Sequence, residues 1–337
     1  MRLRAAPEDF CVDEVPLYSP TGEGEHTFVR IEKRLRTTEE VARALARAAG
    51  VKSRDVGYAG RKDRVAVATQ WFSVPGLDPA RAPSLELPGA RVLEAARHPH
   101  KLRTGHLRAN RFRIAVREVD TAALAAAEAG LQRLRRSGMP NRFGEQRFGR
   151  DQANVARARS LLRGEPARVD RRGARFLLSA LQAAVFNQVL ALRGPHLDRV
   201  ERGDIAVIHA SGGLFRVEDP ETEAPRAAAF EISPTWPIFG TRMTAPAGEV
   251  AERERAVLLD YGVVLEELRP PRGIRLRGAR RALRVRPAAA SAVAIDGGIE
   301  LRFALPPGSY GTVLVEELFG SPAREGPDDM GARAGVC

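Results

Sequence analysis

Apolar and polar positions alternate over residues 27–33 (Thr-Phe-Val-Arg-Ile-Glu-Lys), which predicts a strand. Thr37-Thr38-Glu39-Glu40 has capping-box spacing, with Thr37 as N-cap and Glu40 reaching back. The helix it opens carries Val41, Leu45 and Ala48 on one face and stops at Gly50. A strand follows over 65–74, and proline-rich 77–89 reads as a loop. Phe112, Ile114 and Val116 alternate with Arg111, Arg113 and Arg117, predicting a strand with one buried and one strongly positive face. Asp120 or Thr121 caps a helix running to Gly138 with Leu124, Leu131 and Leu134 in one stripe, and Pro140 prevents its continuation.

Residues 151–163 and 174–193 read as helices, the second with Leu178, Leu181, Val185 and Val189 on one face. Strand-like pieces at 204–209 and 213–218 lead into a proline-punctuated stretch, 224–246, and a polar helix around 249–261. Asp296-Gly297 is a turn signal ahead of Ile299, Leu301, Phe303 and Leu305, which alternate with Glu300 and Arg302. Residues 321–337 lack any apolar pattern and read as a disordered tail. There is no internal repeat. The first residues lack the apolar region of a signal peptide, and no apolar run reaches the length of a membrane span, so no membrane partner is expected.

At 337 residues, 44% hydrophobic and 28% charged, the chain has the makings of about two ordinary globular domains. Cys11 and Cys337 lie at opposite ends, which excludes a disulfide framework or a cysteine zinc site and fits a reducing, cytoplasmic setting. The net charge of +12 points to an anionic partner. Only Lys33, Lys52, Lys62 and Lys101 are lysines. A genome rich in arginine codons explains much of the arginine count but not the net charge. From 97 to 117 the chain has seven basic residues and no acid, among them Arg97, Lys101, Arg103, Arg108, Arg111 and Arg113. These are expected to grip the phosphate backbone of such a partner; the plainer reading is a solvated positive face.

Several site types are missing. There is no G-x-x-x-x-G-K-[ST], no H-E-x-x-H and no G-x-S-x-G, and Gly22-Glu23-Gly24 reads as a turn. His98 and His100 suit solvent or phosphate better than a metal, so neither metal nor cofactor is expected. Gly57-Tyr58-Ala59-Gly60-Arg61-Lys62-Asp63-Arg64 is conspicuous, because it sets one carboxylate among three cations on a glycine-relieved loop. Cationic neighbours favour a charged carboxylate, which can act as nucleophile or base. Spacing alone equally allows a surface ion pair on a hairpin-like loop.

The blocks PEDFCVDEVPLYSPTGEGEH (7–26), AGRKDRVAVATQWFSVPG (59–76), KLRTGHLRANRFRIAVRE (101–118), MPNRFGEQRFG (139–149), SALQAAVFNQVLALR (179–193) and LPPGSYGTVLVEEL (305–318) are collinear and resemble the TruD family of tRNA pseudouridine synthases. The resemblance implies an α+β fold, in which a catalytic domain on a mixed, mainly antiparallel sheet is interrupted by an inserted α/β TRUD-type domain. On that reading 1–137 and 284–320 form the catalytic domain, 138–283 the insertion and 321–337 a tail. The resemblance also implies the activity, uridine-to-pseudouridine isomerisation at position 13 of tRNA by base flipping, with no cofactor. The catalytic aspartate falls on Asp63. Phe10, Asn110, Phe112 and Tyr310 fall on family positions near the substrate, and Lys62 is expected to contact substrate beside Asp63. Asn110 can bond the uracil imide edge, position Asp63, or serve as a turn residue, and Phe112 is in step with the core positions Ile114 and Val116. Asp63 can attack C1′ or abstract a sugar proton. The block 141–149 suggests a hinge with secondary RNA contacts. Two other readings are a non-catalytic RNA-binding or ribosome-assembly protein and a nucleic-acid glycosylase. A monomer is expected.

Overall fold

Alternating apolar residues build most of the first half of the chain. The structure, a computed structural model, describes residues 1–165 and 169–321, so the predicted tail at 321–337 lies, but for Ser321, outside the described residues. The strands β1 (Arg2–Leu3), β2 (Phe10–Pro16) and β3 (His26–Arg34) lead to α1 (Thr38–Ala48). Thr37 Oγ1 accepts from Glu40 N at 3.1 Å and the Glu40 carboxylate accepts from Thr37 N at 2.7 Å, completing the predicted capping box. Val41, Ala42, Leu45 and Ala46 are buried, whereas Ala48, in the last turn, is exposed. Then come β4 (Gly57–Tyr58), β5 (Val67–Pro75), β6 (Ala90–His98), β7 (Leu107–Arg117) and α2 (Leu124–Ser137).

The middle of the chain forms β8 (Met139–Pro140), α3 (Ala153–Leu162), α4 (Arg171–Arg193), β9 (Ile205–Ile208), β10 (Leu214–Arg216), α5 (Pro220–Ala228), β11 (Ile232–Ile238), α6 (Gly248–Asp260), β12 (Ala279–Ala282) and β13 (Arg284–Val285). β14 (Ala288–Ile295), β15 (Gly298–Leu305) and α7 (Gly311–Phe319) follow. It divides into two units: Met1–Gln132 with Pro287–Gly311 and the segment from Val315 onward, and Arg133–Arg286 with Thr312–Leu314.

In the first unit nine strands form one sheet, ordered β14-β15-β7-β2-β5-β3-β6, with β1 beside β7 and β4 beside β5. Only β2 and β5 run parallel. The predicted strands β3, β5, β7 and β15 occupy its interior. Edge strands β6 and β14 lack a fully buried face, so their alternation is weak. One core packs α1 against β3 and β5 through Leu45, Ile31 and Phe72.

The second unit has a four-stranded antiparallel sheet, β10-β9-β11-β12, and the pair β8–β13. Two features, one starting just before the proline-punctuated stretch and one within it, escape periodicity. Asp219 caps α5 with proline at its first turn, and β11, buried almost throughout, carries Pro234 and Pro237. The core gathers Leu178, Leu181, Val185 and Val189 of α4 with Trp236 and Phe239. Among the described residues α4 is the one helix long and apolar enough to cross a membrane, which revises the expectation that no run reaches that length. Those buried side chains make it a core helix. Two buried charges here are paired, Arg193 donating to Asp204 at 2.6 Å and Arg280 to Glu254.

Candidate active site

Asp63 lies on the loop from β4 to β5. Gly57 opens the entry, because a Cβ there would stand 2.2 Å from Leu102 O. Beneath the loop, polar side chains occupy core-facing positions of successive strands. Glu14 is in step with Phe10 and Val12, Gln70 with Ala68 and Phe72, and Lys33 with Val29 and Ile31; all are buried. They tether the loop backbone. Lys62 N donates to Thr38 Oγ1 at 2.9 Å, that hydroxyl donates to Gln70 Oε1 at 2.7 Å, and Gln70 Nε2 donates to Gly60 O at 3.2 Å. Lys33 Nζ donates to Arg36 O at 2.6 Å and Asp63 O at 2.7 Å, with Lys62 O at 3.5 Å. Three carbonyls thus meet the three donors of one ammonium. Burial lowers the Lys33 pKa to about 8, with the Asp63 charge acting the other way.

The Asp63 side chain is 41% exposed, and its cationic partner is not a loop residue. Arg61 pairs with Glu39 at 2.7 Å, Arg64 Nε points to Leu35 O at 3.4 Å, and Lys62 Nζ donates to Glu14 at 2.6 Å. The partner is Arg4, whose Nη2 donates to Asp63 Oδ2 at 2.5 Å. The β1–β7 pairing delivers Arg4, its backbone is left-handed (φ +59°), and its guanidinium lies 4.2 Å above the Phe10 ring. A left-handed arginine is strained by roughly 1 kcal/mol or more, a cost found at functional sites. Arg4 is the buried member of the pair, and its Nε has no protein partner.

This geometry revises several expectations. Lys62 is turned inward; its side chain is 4% exposed and its ammonium is committed to Glu14, so it braces the loop from below. Phe10 is buried under Arg4, edge-on to Phe112. Phe112 is buried and stacks on Phe303, with centroids 5.1 Å apart, as its step with Ile114 suggested. Asn110 is directly opposite Glu14 on β2 and Leu305 on β15, and its Oδ1 is buried without a partner. A buried acceptor left unmatched costs free energy, and a ligand N–H would recover it. Tyr310 precedes α7, and at Gly311 a Cβ would stand 2.9 Å from the Phe112 ring, so this turn sits against the aromatic bank.

Of the expected backbone contacts, Arg103, Arg108 and Arg111 are exposed. Arg97 and Lys101 are half-buried, Lys101 Nζ donating to Arg54 O at 2.5 Å. Arg113 is committed to Glu300 at 3.1 Å, because β15 sets an acid beside a strand that has none of its own. His98 is buried, stacked on Tyr18 with centroids 5.0 Å apart, which removes it from solvent and phosphate alike. Among the described residues no three His, Cys, Asp or Glu side chains could together hold a metal ion. Residues 141–149 pack on α4: Phe143 N donates to Asn187 Oδ1 at 2.8 Å and Arg147 to Ser179 Oγ at 3.0 Å, a fixed arrangement within the second unit in place of the expected hinge.

A partly exposed carboxylate paired with a buried arginine, with an unmatched amide oxygen and an aromatic bank on the same sheet, is a candidate nucleophile- or base-type carboxylate site. Comparison makes the class specific. The family model described as tRNA pseudouridine synthase D (TruD) matches residues 1–171 and 166–318. Curated proteins called tRNA pseudouridine synthase D are similar along nearly their whole length. That of Geobacter metallireducens is 42% identical over 94% of both chains, and that of an Anaeromyxobacter species is 46% identical over 94% of this chain and 91% of the relative. The Thermus thermophilus protein is 44% identical, over 94% and 88%. A crystal structure assigned to TruD from Methanosarcina mazei shares the fold, with a TM-score of 0.72, 22% identity and coverage of 95% and 93%. The chain belongs to the TruD family of tRNA pseudouridine synthases.

Proposed function

We propose that this chain converts uridine to pseudouridine at position 13 of tRNA, with Asp63 as the catalytic residue. The isomerisation breaks the N1–C1′ bond, turns the base and forms the C5–C1′ bond; N1 gains a proton and C5 loses one, so no redox partner is needed. The observation that carries the reading is the Asp63–Arg4 pair, a charged carboxylate whose backbone is tethered from below while its side chain faces outward. Attack on C1′ and removal of a sugar proton both start from that carboxylate. The flipped uracil stacks on Tyr310 and donates its imide N–H to Asn110 Oδ1, whose lack of a protein partner supports the assignment. Phe10 and Phe112 shape the site by holding Arg4 and the Gly311 turn, and Lys62 braces the Asp63 loop.

Residues 1–137 with 284–320 are read as the catalytic domain and 138–283 as the insertion, a division supported by unit boundaries after Gln132 and before Pro287. Arg97, Lys101, Arg103, Arg108 and Arg111 supply backbone contacts, with Arg113 shared between RNA and Glu300. The enzyme works as a cytoplasmic monomer, which light scattering on the purified protein tests.

The reaction is tested by incubating the protein with unmodified tRNA and mapping pseudouridine by carbodiimide-based sequencing. The wild type is expected to modify one site, whereas Asp63→Asn retains tRNA binding and forms no product. Pseudouridine from Asp63→Asn would refute the assignment. Release of free uracil would identify a glycosylase, and bound but unchanged tRNA with wild type a non-catalytic binder.

A further inference from the structure

A second cationic surface lies wholly within the second unit. Residues 269–286 contain eight arginines and no acid, a denser run than 97–117. Folding consumes the later ones. Arg280 pairs with Glu254, Arg281 donates to Asn141 and lies 4.2 Å over Phe143, and Arg284 is fully buried, donating to Ser233 Oγ at 3.0 Å and Ser137 O at 2.9 Å. The earlier ones behave differently. Ile274 and Leu276 turn inward, so alternation sends Arg275 and Arg277 outward, where both are exposed.

This segment is stitched to the chain just after β11. Thr241 N donates to Leu276 O at 2.8 Å and Arg242 N to Arg277 O at 2.7 Å. The two backbones meet at Gly240 and Gly278, where a Cβ on Gly240 would stand 2.2 Å from Gly278 N, and Gly278 is left-handed (φ +86°). The Arg242 N–H to Arg277 O bond holds these two residues side by side. Both line a groove of about 470 Å³ together with Arg275, Pro270, Ile274 and Leu276. The Arg171 guanidinium approaches within 3.5 Å of the Cβ position of the adjacent Gly273. No carboxylate lines the groove, and among the described residues Arg242, Arg275 and Arg277 make no ion pair.

Like charges held close together repel unless a counter-charge joins them. Three guanidinium forks without an acid supply that demand for phosphate oxygens. The lining offers no aromatic face, so it lacks the stacking platforms that bind unstacked bases. We propose that Arg242, Arg275 and Arg277 form a groove on the second unit that grips the tRNA phosphate backbone. This rests on the reading of the chain as a tRNA-modifying enzyme and adds a second RNA-contacting surface to it.

The test compares full-length wild type, R242Q/R275Q/R277Q and a charge-matched control, R43Q/R47Q/R81Q, whose arginines are exposed and belong to no part of either site. Binding of unmodified tRNA is measured across salt concentrations, together with pseudouridine formation. The groove variant is expected to bind on the order of tenfold more weakly, with a log Kd versus log salt slope shallower by about 2–3, since each lost phosphate contact removes ~0.7–0.9. Each single substitution is expected to lower the slope by about 1, and KM rises with little change in kcat. The control is expected to match wild type. Identical slopes, Kd and KM for the groove and control variants would overturn the proposal, and an acidic protein as the true occupant would give that result. If instead the wild type makes no pseudouridine, the enzymatic reading fails while the binding slopes still decide the groove.

Discussion

Replacing Arg4 by Gln tests whether the ion pair at Asp63 serves the reaction. The contact is a single guanidinium–carboxylate hydrogen bond of 2.5 Å between a nearly buried arginine and a carboxylate whose side chain is 41% exposed. Two unit charges about 4 Å apart attract by about 1 kcal/mol in water and about 4 kcal/mol at an effective dielectric of about 20. Solvent reaches Asp63, so the pair belongs in the lower half of that range, about 2 kcal/mol. If that energy orients the carboxylate towards the ribose, Arg4→Gln slows the chemical step about thirtyfold. The assay is single-turnover pseudouridine formation at saturating tRNA. Arg4→Lys is expected to fall between Gln and wild type, because it retains charge but loses the planar face over Phe10. An undiminished single-turnover rate for Arg4→Gln refutes this reasoning, and so does a loss confined to KM, which would make Arg4 an RNA contact.

Two further predictions concern the supports beneath the loop. Lys62→Met leaves the Glu14 carboxylate buried with only Trp71 N as donor, and is expected to cost about 3–5 kcal/mol in urea unfolding, with much of it recovered by adding Glu14→Leu; equal stability of Lys62→Met and wild type would contradict the buried pair. Burial lowers the Lys33 pKa from 10.5 to about 8, so between these values the unfolded chain holds a proton that the fold has released. Stability linked to Lys33 therefore rises with pH across that window, and wild type should gain about 2–3 kcal/mol on Lys33→Met between pH ~7 and ~10, a gain that paired urea titrations read directly.

The site was legible at Asp63 through block similarity, and its supports carry a signal of another kind. In four adjacent strands a polar residue falls on the core-facing beat: Glu14 after Phe10 and Val12, Lys33 after Val29 and Ile31, Gln70 before Phe72, and Asn110 before Phe112. Burying such a group unpartnered is costly, so a polar residue in an apolar register announces a partner or a ligand. Asn110 was found through its motif; the other three follow from the same alternation that predicts strands. Arg4 is different. It meets Asp63 across 59 residues through a two-residue strand, and no local pattern encodes that encounter. The same limit hides β11, whose prolines disguise a buried central strand, and β6 and β14, whose edge positions blur alternation.

Charge shows most clearly why a run along the chain differs from a surface. The acid-free stretch 97–117 acquires acids from its sheet neighbours, with Asp13 opposite Arg111, Glu300 on Arg113 and Asp9 on Arg117. In the stretch 269–286, Arg280 has its acid from α6 and Arg284 is enclosed, whereas Arg275 and Arg277 stay exposed in the groove without an acid. Strand register thus decides which of the 54 basic residues serve folding and which stay available to an anion. An arginine excess arising from codon bias should be spread without regard to register. Exposed arginines gathered without an acid in one groove are suited to a polyanion, and the salt slopes of the groove variants measure whether one binds there.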